Sequence, residues 1–225
     1  IDIKGVRKNK ENIVNKLTGG IKALAKARKV KVLTGYAKFL STNQVSLGGT
    51  DEIIEFEHCV IAAGSRVTKL PIFPFEDERV MDSTDALLLE DIPKRLLIVG
   101  GGIIGLEIAT IYDALGSEIT IVELCEQLIP TADKDIINPL FKRIKKIYSN
   151  IFLNTKVTKI TAIKKGIKVS FEGKDAPETD TFDKVLVSIG RSPNGHLLDA
   201  EKAGVDIDKD GFIVTNRQMK TNVDN

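Results

Sequence analysis

The sequence contains few of the residues that bind metals or form disulfide bonds. Its 225 residues include two cysteines, Cys59 and Cys125, and two histidines, His58 and His196. The cysteines belong to no CxxC or wider pair, which argues against a zinc site and a local redox dithiol. Both lie in apolar, strand-like sequence, so we expect buried thiols in a cytoplasmic protein, where thiols stay reduced. The histidines lie far apart, and no metal site is expected.

Long apolar runs and an excess of one charge are also absent. No window approaches roughly 18 uninterrupted apolar residues, so no membrane span is expected. Lysine and arginine total 33 against 31 acidic residues, and this net charge of +2 gives no reason to expect nucleic acid. The basic stretches 26–31 and 142–148 are interpreted as solvated helix faces or ends. At 42% hydrophobic and 28% charged residues, the composition is typical of an ordinary soluble globular protein.

The two ends of the sequence predict a fragment. The first residue is Ile1 rather than methionine, no signal peptide is recognisable, and residues 221–225 directly follow a strand-like stretch. We therefore expect a piece that lacks both termini of its parent protein. Its 225 residues permit one large domain or two small ones.

The hydrophobic pattern predicts an α/β protein. Helices are expected at 8–29, from Asp82 or Ser83 to before Pro93, at 103–115 and at 133–149. Strands are expected within 30–47, at 53–65, at 96–99 as a buried parallel strand, at 118–123, as an antiparallel set within 151–173, and at 181–190. Residues 67–81 are expected to be irregular, and 204–222 to form a loop with short strands.

A repeated pattern indicates the domain organisation. The stretch FEHCVIAAGSR at 56–66 resembles FDKVLVSIGRS at 182–192, at a separation of 126 residues. Each follows a set of alternating strands, as expected of a duplicated supersecondary unit. The second unit opens with glycines at 100–105. By the same spacing, the first unit would open with its own glycine stretch upstream of residue 1.

The glycine stretch carries the chemistry. Gly100, Gly102 and Gly105 form GxGxxG between the strand 96–99 and the helix 103–115. The first glycine permits a tight turn, the second lets the backbone approach a pyrophosphate, and the third lets helix and strand pack closely. The pyrophosphate then lies at the helix N-terminus, where free N–H groups favour an anion. A turn that only packs a helix on a sheet is the alternative, and the complete βαβ pattern favours dinucleotide binding.

Glu123 predicts which dinucleotide is bound. It ends the second strand, where a carboxylate accepts hydrogen bonds from the ribose hydroxyls and repels a 2′-phosphate. No arginine lies within 123–130 to receive such a phosphate, so NAD is favoured over NADP. A solvated acid at a strand end is the alternative interpretation. Glu107, early in the helix, is by itself most simply an acid placed favourably in the helix dipole.

Five stretches together resemble the flavoprotein disulfide reductases, and within them the bacterial dihydrolipoamide dehydrogenases. They are LLIVGGGIIGLEIATIYDALGSEITIVE, CVIAAGSR, DSTDALLLEDIPKRLLIVGGG, IPTADKDI and VLVSIGRSPN. The glycine motif is shared by many oxidoreductases, whereas AAGSR with IGRSPN is specific to this superfamily. GGGIIGLE with IPTADKDI points to the lipoamide branch. The resemblance extends over essentially the whole chain.

The resemblance implies site residues by matching positions. NAD would be held by Gly100, Gly101, Gly102, Ile103, Ile104, Gly105, Glu123, Val157 and Gly190. Ile103 would be a gate between nicotinamide and flavin, and Val157 would touch the adenine side. Glu107 would pair near the flavin with a lysine outside this sequence. FAD would be touched by Gly35, Ala63, Gly64 and Ser65.

The resemblance also implies an activity and partners for the full-length protein. Dihydrolipoamide on a lipoyl domain of a 2-oxo acid dehydrogenase complex would reduce a disulfide, and the electrons would reach NAD through FAD. The full-length protein would be a homodimer. The family's two cysteines four residues apart and its FAD fingerprint are absent from this sequence, as are the Gly-Asp motif that completes the flavin site and the dimerisation domain with its catalytic His and Glu. No catalytic residue is therefore assigned here, and the fragment alone is expected to be inactive.

The expected domains are an NAD-binding domain at 76–194, Rossmann-like with an antiparallel meander, and two parts of a similar FAD-binding domain at 1–75 and 195–225. Two alternatives for function remain. One is another pyridine nucleotide-disulfide oxidoreductase, such as a mercuric reductase or an NADH oxidase. The other is a non-catalytic NAD-binding module.

Overall fold

The computed structural model describes residues 1–50 and 52–225. The helices are α1 (Ile3–Ala27), α2 (Ser83–Leu88), α3 (Ile103–Leu115) and α4 (Lys134–Ile144), with short 3-10 helices at Gly195–Leu197 and Ala200–Ala203. The strands are β1 (Tyr36–Ser41), β2 (Gln44–Gly48), β3 (Ile53–Glu55), β4 (Ser65–Val67), β5 (Val80–Met81), β6 (Arg95–Val99), β7 (Glu118–Val122), β8 (Asn150–Phe152), β9 (Lys156–Ile163), β10 (Gly166–Glu172), β11 (Thr179–Phe182), β12 (Lys184–Val187) and β13 (Arg191–Pro193). None of these helices is long and apolar enough to cross a membrane.

The chain divides into two compact units. Unit one comprises 1–10 and 67–190, and unit two comprises 11–66 and 191–225. The first residues join unit one because Ile3 packs against its core and Lys10 donates a hydrogen bond from Nζ to the carbonyl of Leu87 at 2.9 Å. Unit one contains 67–190, whereas the NAD-binding domain was predicted at 76–194, and this domain assignment stays a prediction.

Unit one is built on a five-stranded parallel sheet. The strand order is β5–β12–β6–β7–β8, and the α/β fold is the one predicted from the sequence. The central strand β6 is apolar on both faces, as expected of a covered parallel sheet. Leu96 and Ile98 pack in the core formed with α3 and α4, whereas Leu97 and Val99 pack in a second core with the meander β9–β10–β11. The glycine stretch directly follows this buried strand.

Two arginines join the meander to the parallel sheet within unit one. Arg95 forms a salt bridge with Asp180 at 2.7 Å. Arg79 forms one with Asp77 at 2.7 Å and donates a hydrogen bond to the carbonyl of Ile163 at 2.9 Å. The guanidinium groups of both arginines therefore donate hydrogen bonds to backbone carbonyls of the meander, Arg79 to Ile163 and Arg95 to Thr181.

Helices α2 and α3 begin and end where the sequence predicts. Asp82 is the N-cap of α2 and accepts hydrogen bonds from the backbone N–H groups of Thr84 and Asp85, completing a capping box. Helix α3 starts after Gly102 and ends at Gly116, whose φ of 105° lies in the left-handed region. These caps fix both ends of the helix that follows the glycine stretch.

Unit two contains a smaller core. Strands β1, β2 and β3 form an antiparallel sheet, and β4 pairs with β13. Phe39 is buried together with Ala200, Ala203 and Val205. The backbone N–H of Phe39 donates to the carbonyl of Leu198 at 2.8 Å, which attaches the sheet to the 3-10 helices. Helix α1, most of which belongs to this unit, has no buried residue.

The predicted strand at 53–65 is wrong over most of its length. Within this range, strands cover only Ile53–Glu55 and Ser65, the first residue of β4, and Val60 is 91% exposed. The related stretch at 182–192 does form β12, because β5 and β6 flank it on either side. Residues 58–64 have no such neighbouring strand among the residues described, so their apolar pattern has no ladder to join.

Further differences concern the cysteines and the ends of helices. Cys59 is half-buried and Cys125 is exposed, so the expectation of two buried thiols is wrong. Cys125 lies beyond the end of β7, where the chain leaves the sheet. Helix α1 spans Ile3–Ala27 rather than 8–29. Helix α4 ends at Ile144, since the N–H groups of Lys146 and Ile147 bond three residues back in tighter turns.

Candidate functional site

The glycine stretch forms a tight turn between β6 and α3. Gly100 has φ of 105°, a region that disfavours side chains. A Cβ there would also collide with the carbonyl of Ser188. The Ser188 hydroxyl oxygen lies 3.1 Å from the carbonyl oxygens of both Val99 and Gly100 and donates a hydrogen bond to them. This contact links the end of β12 to the turn. Gly100 therefore has both a conformational and a steric requirement for glycine.

Gly105 brings the helix against the turn. A Cβ at this residue would collide with the carbonyl of Gly100 and lie 2.7 Å from the Ser188 hydroxyl oxygen. The geometry therefore demands glycine for close packing, as the motif requires. Ser188 was not singled out from the sequence, because a serine at the end of an apolar strand has no distinctive pattern.

Gly102 is different because it faces open space. It is the N-cap of α3, in an extended conformation with φ of −76°, and a Cβ there would meet nothing within 4 Å. The first N–H groups of a helix have no partner within it. An anion of pyrophosphate size can therefore approach the backbone here, and the residues present fit the group that the motif predicts. The binding itself stays a prediction.

Glu123 lies directly beside the turn. The residue is 8% exposed, and its carboxylate accepts two backbone hydrogen bonds, from Gly101 N–H to Oε2 at 2.7 Å and from Cys125 N–H to Oε1 at 2.8 Å. Each carboxylate oxygen has further lone pairs. The same side chain can therefore hold the turn and still accept a ribose hydroxyl, which fits the predicted role and excludes the alternative of a solvated acid.

Cys125 is the exposed thiol at this end of β7. Its pKa is raised above the ordinary value, first by a hydrogen bond with the Glu123 carboxylate and also by burial and negative charge. The thiol therefore stays protonated near neutral pH and is a poor nucleophile. Among the described residues, no group of three or more His, Cys, Asp or Glu side chains could hold a metal ion.

The other residues predicted for NAD lie at different distances from solvent. Ile103 is 59% exposed on α3. Glu107, which the resemblance implies lies near the flavin, is also exposed on that helix. Val157 is 8% exposed on β9 and packs in the core between the sheet and the meander. Gly190 follows β12 with φ of 120°, and a Cβ there would meet nothing within 4 Å. The ligand contacts of these residues remain predictions.

The residues predicted for FAD lie in unit two. Ala63, Gly64 and Ser65 line a pocket of about 360 Å³, together with Arg191 and Asn194. Gly35 does not line this pocket; it lies at the start of β1, where a Cβ would come 2.6 Å from the side chain of Leu47. Three of the four predicted positions, which are consecutive in sequence, therefore line this pocket, and their contact with FAD stays a prediction.

Arg191 and Asn194 hold this pocket in shape. Arg191 donates from Nε to the Ser65 hydroxyl at 2.7 Å and from its terminal nitrogen to the Ser65 carbonyl at 2.6 Å. Asn194 donates from Nδ2 to the Ala63 carbonyl at 2.9 Å. The sequence contained a signal for both residues, the IGRSPN stretch, but it was used only for the resemblance.

Comparisons with known proteins show the family of this chain. The sequence model of the pyridine nucleotide-disulphide oxidoreductase family matches residues 2–225. The chain is 53% identical over 225 residues to a dihydrolipoyl dehydrogenase of Vibrio cholerae and 50% identical to one of Haemophilus influenzae, in each case over 99% of this chain and 47% of the relative. The chain therefore spans about half the length of the curated relatives it matches.

A solved structure has the same fold. The HOCl-induced flavoprotein disulfide reductase RclA from Escherichia coli matches with a TM-score of 0.84 at 28% identity. The match covers 97% of this chain and 50% of that one.

Proposed function

Because the chain belongs to the pyridine nucleotide-disulphide oxidoreductase family, we propose that unit one binds NAD at the turn between β6 and α3. The pyrophosphate lies against Gly102 and the first N–H groups of α3, where the positive end of the helix dipole favours an anion. Val157 and Gly190 mark the adenine and nicotinamide sides of the site.

The carboxylate of Glu123 is the observation that carries this proposal. It lies at the end of β7, bound to the N–H of Gly101, next to the open position of Gly102. A carboxylate so placed accepts ribose hydroxyls and repels a 2′-phosphate. The chain therefore prefers NAD and NADH to their 2′-phosphorylated forms.

Calorimetric titration of the 225-residue chain with NADH and with NADPH tests the proposal. We expect NADH to bind at least tenfold more tightly, because a charge-assisted hydrogen bond contributes about 1.5–3 kcal/mol. Equal or tighter binding of NADPH would contradict the assignment of Glu123. No binding of either nucleotide by the folded chain would contradict the site.

For the full-length protein, we propose NAD-dependent oxidation of protein-bound dihydrolipoamide. The dihydrolipoyl dehydrogenases that are 50–53% identical to this chain support this activity. FAD would contact Ala63, Gly64 and Ser65 and would carry electrons from a disulfide to NAD. In balance, dihydrolipoamide loses two electrons and two protons, NAD gains a hydride, and one proton is released. The partners would be lipoyl domains of 2-oxo acid dehydrogenase complexes, and the protein would act as a homodimer.

The full gene on both sides of this segment allows a direct test. We expect it to encode two cysteines four residues apart, and its product to reduce NAD with dihydrolipoamide. A single cysteine in that place would favour an oxidase, and absence of dihydrolipoamide oxidation by the purified, flavin-loaded protein would contradict the proposed activity.

A further inference from the structure

Gly101 lies between the first two glycines of the motif, and both of its backbone groups are engaged by one neighbouring segment. Its N–H donates to the Glu123 carboxylate at 2.7 Å. Its carbonyl accepts a hydrogen bond from the N–H of Ile129 at 3.0 Å. Residues 123–129, which leave the end of β7, therefore hold Gly101 from both sides.

Leu128 closes the remaining space around Gly101. A Cβ built on Gly101 would collide with Cδ2 of Leu128 and lie 3.2 Å from Cβ of Glu123. The Leu128 side chain is fully buried and belongs to the main core of unit one, so neighbouring core side chains resist its displacement. The requirement for glycine at 101 thus comes from Leu128, whereas the GxGxxG pattern leaves this position free.

The backbone of the same segment is under strain. Ile129 has φ of 45°, a left-handed conformation that is a genuine outlier for a β-branched residue. Such strain persists only where surrounding contacts over-determine it. The bond from Ile129 to Gly101 and the burial of the neighbouring Leu128 are two such contacts.

We propose that Leu128 is a positioning residue for the dinucleotide site, acting through Gly101. Its side chain sets how far Gly101 lies from the core. Gly101 in turn carries Gly102 and the first N–H groups of α3 to the place where they meet the pyrophosphate. This inference rests on the proposed binding of NAD by unit one. It predicts that the loss of affinity caused by a larger residue at 101 depends on the size of the residue at 128.

The test compares Gly101→Ala, Leu128→Val and the two together in the full 225-residue chain. ADP-ribose is the probe, because it carries the adenosine and pyrophosphate groups without the nicotinamide. We expect Gly101→Ala to weaken its binding at least tenfold and Leu128→Val to weaken it about threefold, because Gly101 can then shift towards the core. The pair should regain at least fivefold over Gly101→Ala, because valine lacks the δ carbon that the added methyl group meets.

Gly20→Ala is the matched control, since a Cβ at Gly20 on α1 meets nothing within 4 Å. It should leave affinity for ADP-ribose unchanged. If the single variant Gly101→Ala does not fold, the proposal requires that the double variant with Leu128→Val does fold. Purely additive effects of Gly101→Ala and Leu128→Val, on affinity or on folding, would overturn it.

Hydrogen exchange of the Ile129 amide gives a second measurement that needs no ligand. This N–H should exchange at least tenfold faster in Gly101→Ala than in the parent chain, and slowly again in the pair. Failure of the parent chain to bind ADP-ribose would overturn NAD binding as the function, while the exchange rates would still decide whether Leu128 positions Gly101. Unchanged exchange in a folded Gly101→Ala variant would overturn the positioning role.

Discussion

The carboxylate of Glu123 accepts a hydrogen bond from the backbone N–H of Gly101 at 2.7 Å. The side chain at the end of one parallel strand thus bonds to the glycine turn after the neighbouring strand. The second carboxylate oxygen accepts the N–H of Cys125 at 2.8 Å. The residue proposed to read the ribose is therefore also part of the scaffold, and its replacement should change stability as well as affinity.

The first prediction concerns Glu123→Gln. The amide has one acceptor oxygen, so one of the two backbone donors, Gly101 or Cys125, would face an NH₂ group and lose its partner. We expect the free energy of unfolding to fall by about 1–3 kcal/mol, the cost of an unsatisfied buried donor. The preference for NADH over NADPH should fall as well, because the charge is removed. Denaturant unfolding and calorimetric titration measure the two effects.

Glu126→Gln is the matched control for this variant. Glu126 lies three residues further along, and its partner Lys134 is 2.7 Å away with both side chains about two-thirds exposed. Exposed pairs contribute about 0–1 kcal/mol. If Glu126→Gln and Glu123→Gln have equal effects on stability and nucleotide preference, the special role of Glu123 is contradicted.

The second prediction separates binding from folding at two glycines of one motif. Gly102→Asp adds a side chain in open space at the N-cap of α3, a position that aspartate favours. We expect stability to be unchanged or higher, and dinucleotide binding to be lost, because the side chain and its charge take the place of the pyrophosphate. Thermal unfolding and titration with NADH provide the measurements.

Gly105→Ala, in contrast, should lower stability. The added methyl group would collide with the carbonyl of Gly100, so the free energy of unfolding should fall by about 1–3 kcal/mol. A folded Gly102→Asp protein with unchanged affinity for NADH would show that the motif only packs a helix on a sheet.

The third prediction concerns pH. A hydrogen bond from Arg79 lowers the pKa of Asp77 from 3.8 to about 2. Because the folded pKa is the lower one, the ion pair stabilises the fold fully above about pH 4, and this contribution is lost as the pH falls towards 2. Asp77→Asn should therefore lower stability at neutral pH by about 1 kcal/mol, allowing for partial exposure. The difference from the parent chain should be much smaller near pH 2.

Urea unfolding of both proteins between neutral pH and pH 2 gives these stabilities. The salt bridge Glu126–Lys134 on the exposed surface serves as a comparison, because its removal should produce a smaller change. A stability difference between Asp77→Asn and the parent that grew as the pH fell would contradict the assignment.

The sequence predicted the centre of unit one well, because local signals and burial agree there. The buried strand β6, the helix α3 with Gly102 and Gly116 at its ends, and the acid that ends β7 all follow from short-range pattern. The requirements for glycine at 100 and 105 follow from close backbone approaches that the motif already encodes. Sequence patterns were therefore sufficient to predict the elements whose structure depends on residues nearby in the chain.

Tertiary contacts decided the rest. The stretch around Val60 has a strand-like sequence, yet no neighbouring strand lies beside it among the described residues. The need for glycine at 101 depends on Leu128. The carbonyl of Gly100 in the turn is bound by the Ser188 hydroxyl. These partners are distant in sequence and belong to no recognised spacing, so only the structure shows them.

The last prediction is that the 225-residue chain alone oxidises no dihydrolipoamide and does not retain flavin. The family's disulfide is formed by two cysteines four residues apart, whereas Cys59 and Cys125 form no such pair in the sequence and are both free thiols. Only one GxGxxG stretch, at 100–105, occurs in the sequence, and we assign it to NAD. For flavin there remain the pocket walls at Ala63–Ser65, and Gly35 outside that pocket.

Those contacts have to offset an association cost of about 4–15 kcal/mol, which a partial pocket without a pyrophosphate turn does not do. We therefore expect the purified chain to be colourless and to give background rates when NAD reduction by dihydrolipoamide is followed. NADH binding to the same preparation is the positive control for folding of unit one. A stoichiometric flavin spectrum, or turnover above background, would mean that the pocket in unit two binds flavin without a glycine turn of its own.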